Sequence, residues 1–137
     1  MDNLDVKEWM RFAQNDYECA AILKERFRPP MENVCYLCQQ SAEKILKAYT
    51  IAKTNTLTKT HALKDLLKTC EQYSPDFNNL RNACLTLTPY LALGRYPSTI
   101  EIVDYDMRQA LKSALEILTF TKTKLAEMGF ETVDVES

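Results

Sequence analysis

Apolar residues return at helical spacing along most of the chain. Val6, Trp9, Met10, Ala13, Tyr17, Ala20, Ala21, Leu23 and Phe27 recur every three or four positions, with Lys7, Glu8, Asn15, Lys24 and Glu25 elsewhere. This period predicts a first helix over about 5–27. Pro29 and Pro30 force a turn, and Pro30 suits the start of a second helix over about 31–52, where its missing N–H is not needed. After the polar stretch KTNTLTKT, Thr60 can cap a short third helix carrying Ala62, Leu63, Leu66, Leu67 and Cys70. Ser74, Pro75 and Asp76 read as N-cap, first residue and acidic first turn of a fourth helix through Phe77, Leu80, Ala83, Cys84 and Leu87, ended or kinked by Pro89. The stretch PYLALGRYPSTIEIV is irregular and reads as a turn or short 3₁₀ segment followed by a loop. Asp104 can then cap a last helix through Met107, Leu111, Ile117, Leu118, Leu125 and Met128, with Gly129 placed to end it.

Such a pattern packs most simply as an all-α fold, an up-and-down antiparallel four-helix bundle with one additional short helix. A single domain over 1–137 is expected, its core over 5–128 and residues 129–137 a tail. The composition agrees: of 137 residues only two are glycine and five proline, too few breakers for a sheet-rich chain. Hydrophobic residues at 46% and charged residues at 26% describe a globular chain rather than a disordered one. A net charge of −2 gives no global pull toward nucleic acid, so any basic surface must be local. No window approaches a membrane span and the first residues are acidic, which points to a cytoplasmic location.

The stretch CYLCQQSAEKILKAY, Cys35 to Tyr49, raises the question of chemistry. At 100° per residue, Val34, Cys38, Ala42, Ile45, Tyr49 and Ala52 share one side of the second helix, with Cys35, Ser41 and Ala48 at its margins. The cysteine pair therefore reads as core packing. A structural zinc site needs about four thiolate or imidazole ligands, and a chain with one CxxC and one histidine points to no metal and no cofactor. Tyr36, Gln40, Lys44 and Lys47 fall on roughly the opposite side. By spacing alone they are a solvated face, with Glu43 and Lys47 at i, i+4.

The order QQSAEKILKAY, then KTHALKDLL, then LGRYP ahead of a final amphipathic helix resembles the HEPN family (higher eukaryote and prokaryote nucleotide-binding), as does the early W..FAQNDYECA. The resemblance covers about Asp5 to Glu127. It implies a helical bundle paired as a homodimer, acting beside a small nucleotidyltransferase and binding a nucleotide or RNA. One subset of the family consists of metal-independent RNases used as toxins of toxin–antitoxin pairs, marked by an arginine, a polar residue and, some residues later, a histidine. Here Arg81 and Asn82 begin such a motif, but Thr86 stands where the histidine is expected and no histidine follows. Threonine cannot move protons near neutral pH, so the enzyme reading leans to no and no catalytic residue is assigned.

The resemblance turns Gln40, Lys44, Lys47, His61, Arg95 and Tyr96 into candidate nucleotide- or RNA-binding residues. His61 lies near the start of the third helix, a position that suits anions, or else it bonds across the loop with Asp65 as its partner. Arg95 can clamp a phosphate and Tyr96 can stack a base. Gly94 before them can take the left-handed conformation that turns the chain sharply. The same pair could instead anchor the loop or a dimer. A non-catalytic binding module is the leading function, with a divergent RNase toxin using Arg81 or Arg95 and His61, or a purely structural dimeric scaffold, as alternatives.

Overall fold

A computed structural model of the chain describes residues 5–94 and 100–131. Five α-helices and two 3₁₀ segments follow in order: α1 (Val6–Lys24), α2 (Met31–Thr54), α3 (Leu63–Tyr73), a 3₁₀ segment (Pro75–Leu80), α4 (Arg81–Leu87), a second 3₁₀ segment (Thr88–Gly94) and α5 (Asp104–Glu127). There is no strand among the described residues. The all-α bundle with a short extra helix is what folds.

The ends of the helices obey local chemistry. The Asp5 carboxylate accepts hydrogen bonds from the backbone N–H of Lys7 (3.0 Å) and Glu8 (3.4 Å), which caps α1. Arg28 at φ 57° and the two prolines turn the chain into α2, and Asn55 at φ 56° ends that helix. Gly129 at φ 96° closes α5 as expected: its N–H bonds to the Ala126 carbonyl (2.9 Å) while Phe130 N–H reaches back to the Leu125 carbonyl (2.9 Å).

Three start signals behave differently from expectation. The Thr60 hydroxyl accepts from Ala62 N–H and donates to Asp65, and α3 begins after Ala62 without a side-chain cap. Val103, not Asp104, is the N-cap of α5, and the Asp106 carboxylate accepts its N–H at 3.1 Å. The Ser74 hydroxyl bonds to the Asp76 carboxylate, and the chain enters a 3₁₀ segment rather than a fourth long helix. Phe77 and Leu80 are both fully buried, and their spacing of three puts them on one side of a three-residue turn. The α-helical winding begins only at Arg81, so α4 proper is seven residues long.

Helix α2 is the axis of the bundle, packed by α1, α5, α3 and the second 3₁₀ segment. Its Val34, Cys38, Ala42, Ile45 and Tyr49 are buried as the pattern indicates, but so are Gln39, Ser41, Glu43, Lys47 and Thr50. Around Phe77 the core is aromatic, with the Tyr49 ring 4.6 Å and the Phe120 ring 5.1 Å away, centre to centre.

Candidate functional site: a buried carboxylate behind His61

The expected wet face of α2 is covered by α1. Lys44 reaches Asp16 of α1 (Nζ to Oδ2, 2.7 Å) and lies over the ring of Phe12 at 5.9 Å. Lys47 is 4% exposed, paired with Glu43 (2.9 Å), with the Trp9 ring 5.7 Å from its ammonium. Reading Lys47 as a surface residue is thus corrected. A helix wheel finds the side opposite the cysteines, but α2 is central and a second helix lies on that side too. A buried ammonium needs a carboxylate and gains from an aromatic face, and both are present.

Glu43 organises the site. Its Oε2 forms an ion pair with Lys47 (2.9 Å) and accepts from His61 Nδ1 (2.7 Å), and its Oε1 accepts from Gln39 Nε2 (3.3 Å). Gln40 donates to Gln39 Oε1 at 2.7 Å, so the polar chain runs from Gln40 through Gln39 to Glu43, Lys47 and His61. His61, just before α3, is held by Glu43 and not by Asp65, whose carboxylate is engaged by Thr60. A carboxylate can only accept, so Nδ1 carries a proton and Nε2 is the ring nitrogen left over. The His61 side chain is 51% exposed whereas that of Glu43 is 5% exposed. The imidazole is therefore anchored on its inner edge and open on its outer one.

Structure joins Gln40, Lys47 and His61 through this network, and places Lys44 beside it on α2 in its own ion pair. Arg95 and Tyr96 lie outside the described residues. Gly94 is described, and it is not left-handed: a Cβ there would fall 2.3 Å from the Tyr36 ring, so close packing against α2 is what excludes a side chain. Glu43, Gln39, Trp9 and Asp16 are the participants that the sequence reading missed. Only the Glu43/Lys47 spacing hinted at the first.

The thiols are core. Cys35, Cys38, Cys70 and Cys84 are buried and only Cys19 is exposed. Burial pushes the Cys35 and Cys84 thiols up to about 12, and those of Cys38 and Cys70 upward as well. Thiols so far from ionising are poor nucleophiles and poor ligands.

Arg81 donates to the Asn78 side chain (Nη2, 2.8 Å) and pairs with Glu71 at 3.4 Å. The Thr86 hydroxyl bonds to the Asn82 carbonyl of its own helix (3.1 Å). No hydrogen bond or ion pair joins Arg81 to His61 among the described residues.

A family model described as the HEPN domain matches residues 6–125. The chain belongs to the HEPN family. An archaeal HEPN homologue solved by crystallography has the same fold, with a TM-score of 0.68 at 22% identity over 88% of this chain and 98% of that one. No curated protein matches. In this HEPN domain the motif segments supply the polar network: QQSAEKILKAY gives the buried Gln39, Glu43 and Lys47 and the partly buried Gln40 and Lys44, and KTHALKDLL gives the exposed His61.

Proposed function

We propose that this HEPN domain is a non-catalytic binding module that takes the phosphate of a nucleotide or RNA at His61, as a homodimer working with a small nucleotidyltransferase. The observation that carries the ligand half is the half-exposed imidazole fixed by a buried carboxylate. A ring oriented before the ligand arrives loses little freedom on binding. Lys47 holds Glu43 in place through their ion pair, a supporting role rather than a contact. Gln40 and Lys44 lie on the same helix as Glu43, and Arg95 and Tyr96, outside the described residues, stay candidates by family resemblance. The dimer and the nucleotidyltransferase partner rest on family membership. Calorimetry with AMP, ATP, GTP and a short single-stranded RNA tests the proposal. Binding by the wild type that His61→Ala loses supports it; heat signals absent for every ligand, or unchanged by the substitution, sink it.

One observation favours a second reading. A carboxylate on Nδ1 also orients a histidine as a general base, leaving Nε2 to take a proton. If His61 serves a divergent HEPN RNase, purified protein cleaves tRNA or mRNA without metal and His61→Ala does not. Intact RNA after prolonged incubation at high protein concentration removes that reading.

A further inference from the structure

A second place in the molecule is built for an anion, and it shares no residue with the His61 cluster. Between α3 and α4 lies a groove of about 580 Å³ lined by Lys64, Lys68 and Leu67 on one side and Arg81, Leu85 and Thr88 on the other. That volume falls in the range of small-molecule sites. Lys64 and Lys68 stand one turn apart on α3, both exposed, and neither makes an ion pair or hydrogen bond among the described residues. Of the two acidic side chains in the lining, Glu71 is paired with Arg81 while Asp65 accepts from the Thr60 hydroxyl and keeps its charge, so three cations against two carboxylates leave the groove with a net charge of +1. Lys64 is moreover the second residue of α3, where the helix dipole disfavours a cation and no side chain caps the free N–H groups. Folding alone gives no reason to put a lysine there.

The apolar half of the groove is equally unexplained by folding. Leu85 is 60% exposed, while its neighbours Leu67 and Cys84 are almost fully buried and form the floor beneath it. Cationic groups over an apolar floor match a molecule with an anionic end and an apolar body. Two ammonium groups one turn apart suit the several oxygens of a phosphate better than the two of a carboxylate, since lysine acts as a point charge without a preferred plane. Of the degenerate RNase motif only Arg81 reaches the groove, where it is held by Glu71 and Asn78; Asn82 and Thr86 do not line it.

We propose that the α3–α4 groove binds a small phosphate ester, with Lys64 and Lys68 on the phosphate and Leu85 against the ester's apolar body. The site is independent of His61, and so is its test. With the full chain labelled at leucine methyl groups, phenyl phosphate is titrated and the NMR signals of Leu67 and Leu85 are followed. Saturable shifts are expected, with a midpoint about tenfold or more below that of inorganic phosphate, a difference of about 1.4 kcal/mol. The double variant Lys64→Met/Lys68→Met should lose them, Leu85→Ser should remove the preference for phenyl phosphate over inorganic phosphate, and His61→Ala should change neither. Shifts that never saturate, or that persist in the double variant, overturn the site. Equal midpoints for the two probes overturn the apolar half of the claim.

Discussion

Two pairs of lysines, Lys44 with Lys47 on α2 and Lys64 with Lys68 on α3, read alike in the sequence, each three or four residues apart on a polar face. In the folded chain they differ in kind. The α2 pair is drawn inward: each ammonium has a carboxylate within 3 Å and an aromatic ring within 6 Å, supplied for the most part by α1. The α3 pair faces a groove with no partner among the described residues. Charge spacing on one helix therefore reports little about function until the helix that covers it is known. The lysines that resemble a binding wall support the structure, and the ones that resemble ordinary surface have no structural role.

This contrast is strongest at Glu43. Replacing it with alanine strands the buried Lys47 ammonium and should cost about 3–5 kcal/mol in urea unfolding. The double replacement Glu43→Leu/Lys47→Met should recover most of that, because the penalty belongs to the unpaired charge. Equal losses in single and double variants would mean that the pair itself, not its balance, holds the helix. Asp16→Asn tests the partly buried pair of the same group. Loss of the pairing with Lys44 should cost about 0.5–1 kcal/mol, and less in high salt.

Lys124 supplies a counterpart whose carboxylate, Asp76, is exposed. It reaches Asp76 at 2.7 Å, and hydrogen bonds from Lys124 and then from Ser74 hold the Asp76 carboxyl below its ordinary value. A carboxyl depressed in the folded state stabilises fully above its unfolded value and loses that contribution as pH falls through the folded one. The advantage of wild type over Asp76→Asn should therefore be level near neutrality and shrink below about pH 4, as followed by thermal melts. The smallest effect belongs to the α3 lysines. Lys64→Met/Lys68→Met should leave stability within about 0.5 kcal/mol of wild type, since no contact is lost.

The helices were largely legible because burial follows a period of 3.6. Val34, Cys38 and Tyr49 went to the core as their spacing requires, and Gly129 ended α5. What was hidden depended on pairs distant in sequence. Tyr36 fills the space at Gly94, α1 covers Lys44 and Lys47, and Glu43 is the anchor of His61, eighteen positions away. The 3₁₀ winding of Pro75–Leu80 was equally out of reach, because the signal for a helix start is the same for both windings.

A helix enclosed on nearly every side, as α2 is, has one more consequence. Its amide protons have no route to solvent short of separating it from several neighbours at once, whereas the 3₁₀ segments around α4 can open a turn at a time. Under native conditions, deuterium should therefore enter the Pro75–Gly94 arm long before the middle of α2, whose slowest amides report the opening of the whole domain. The α4 side of the groove, which carries Arg81 and Leu85, is thus free to breathe against a spine that is not.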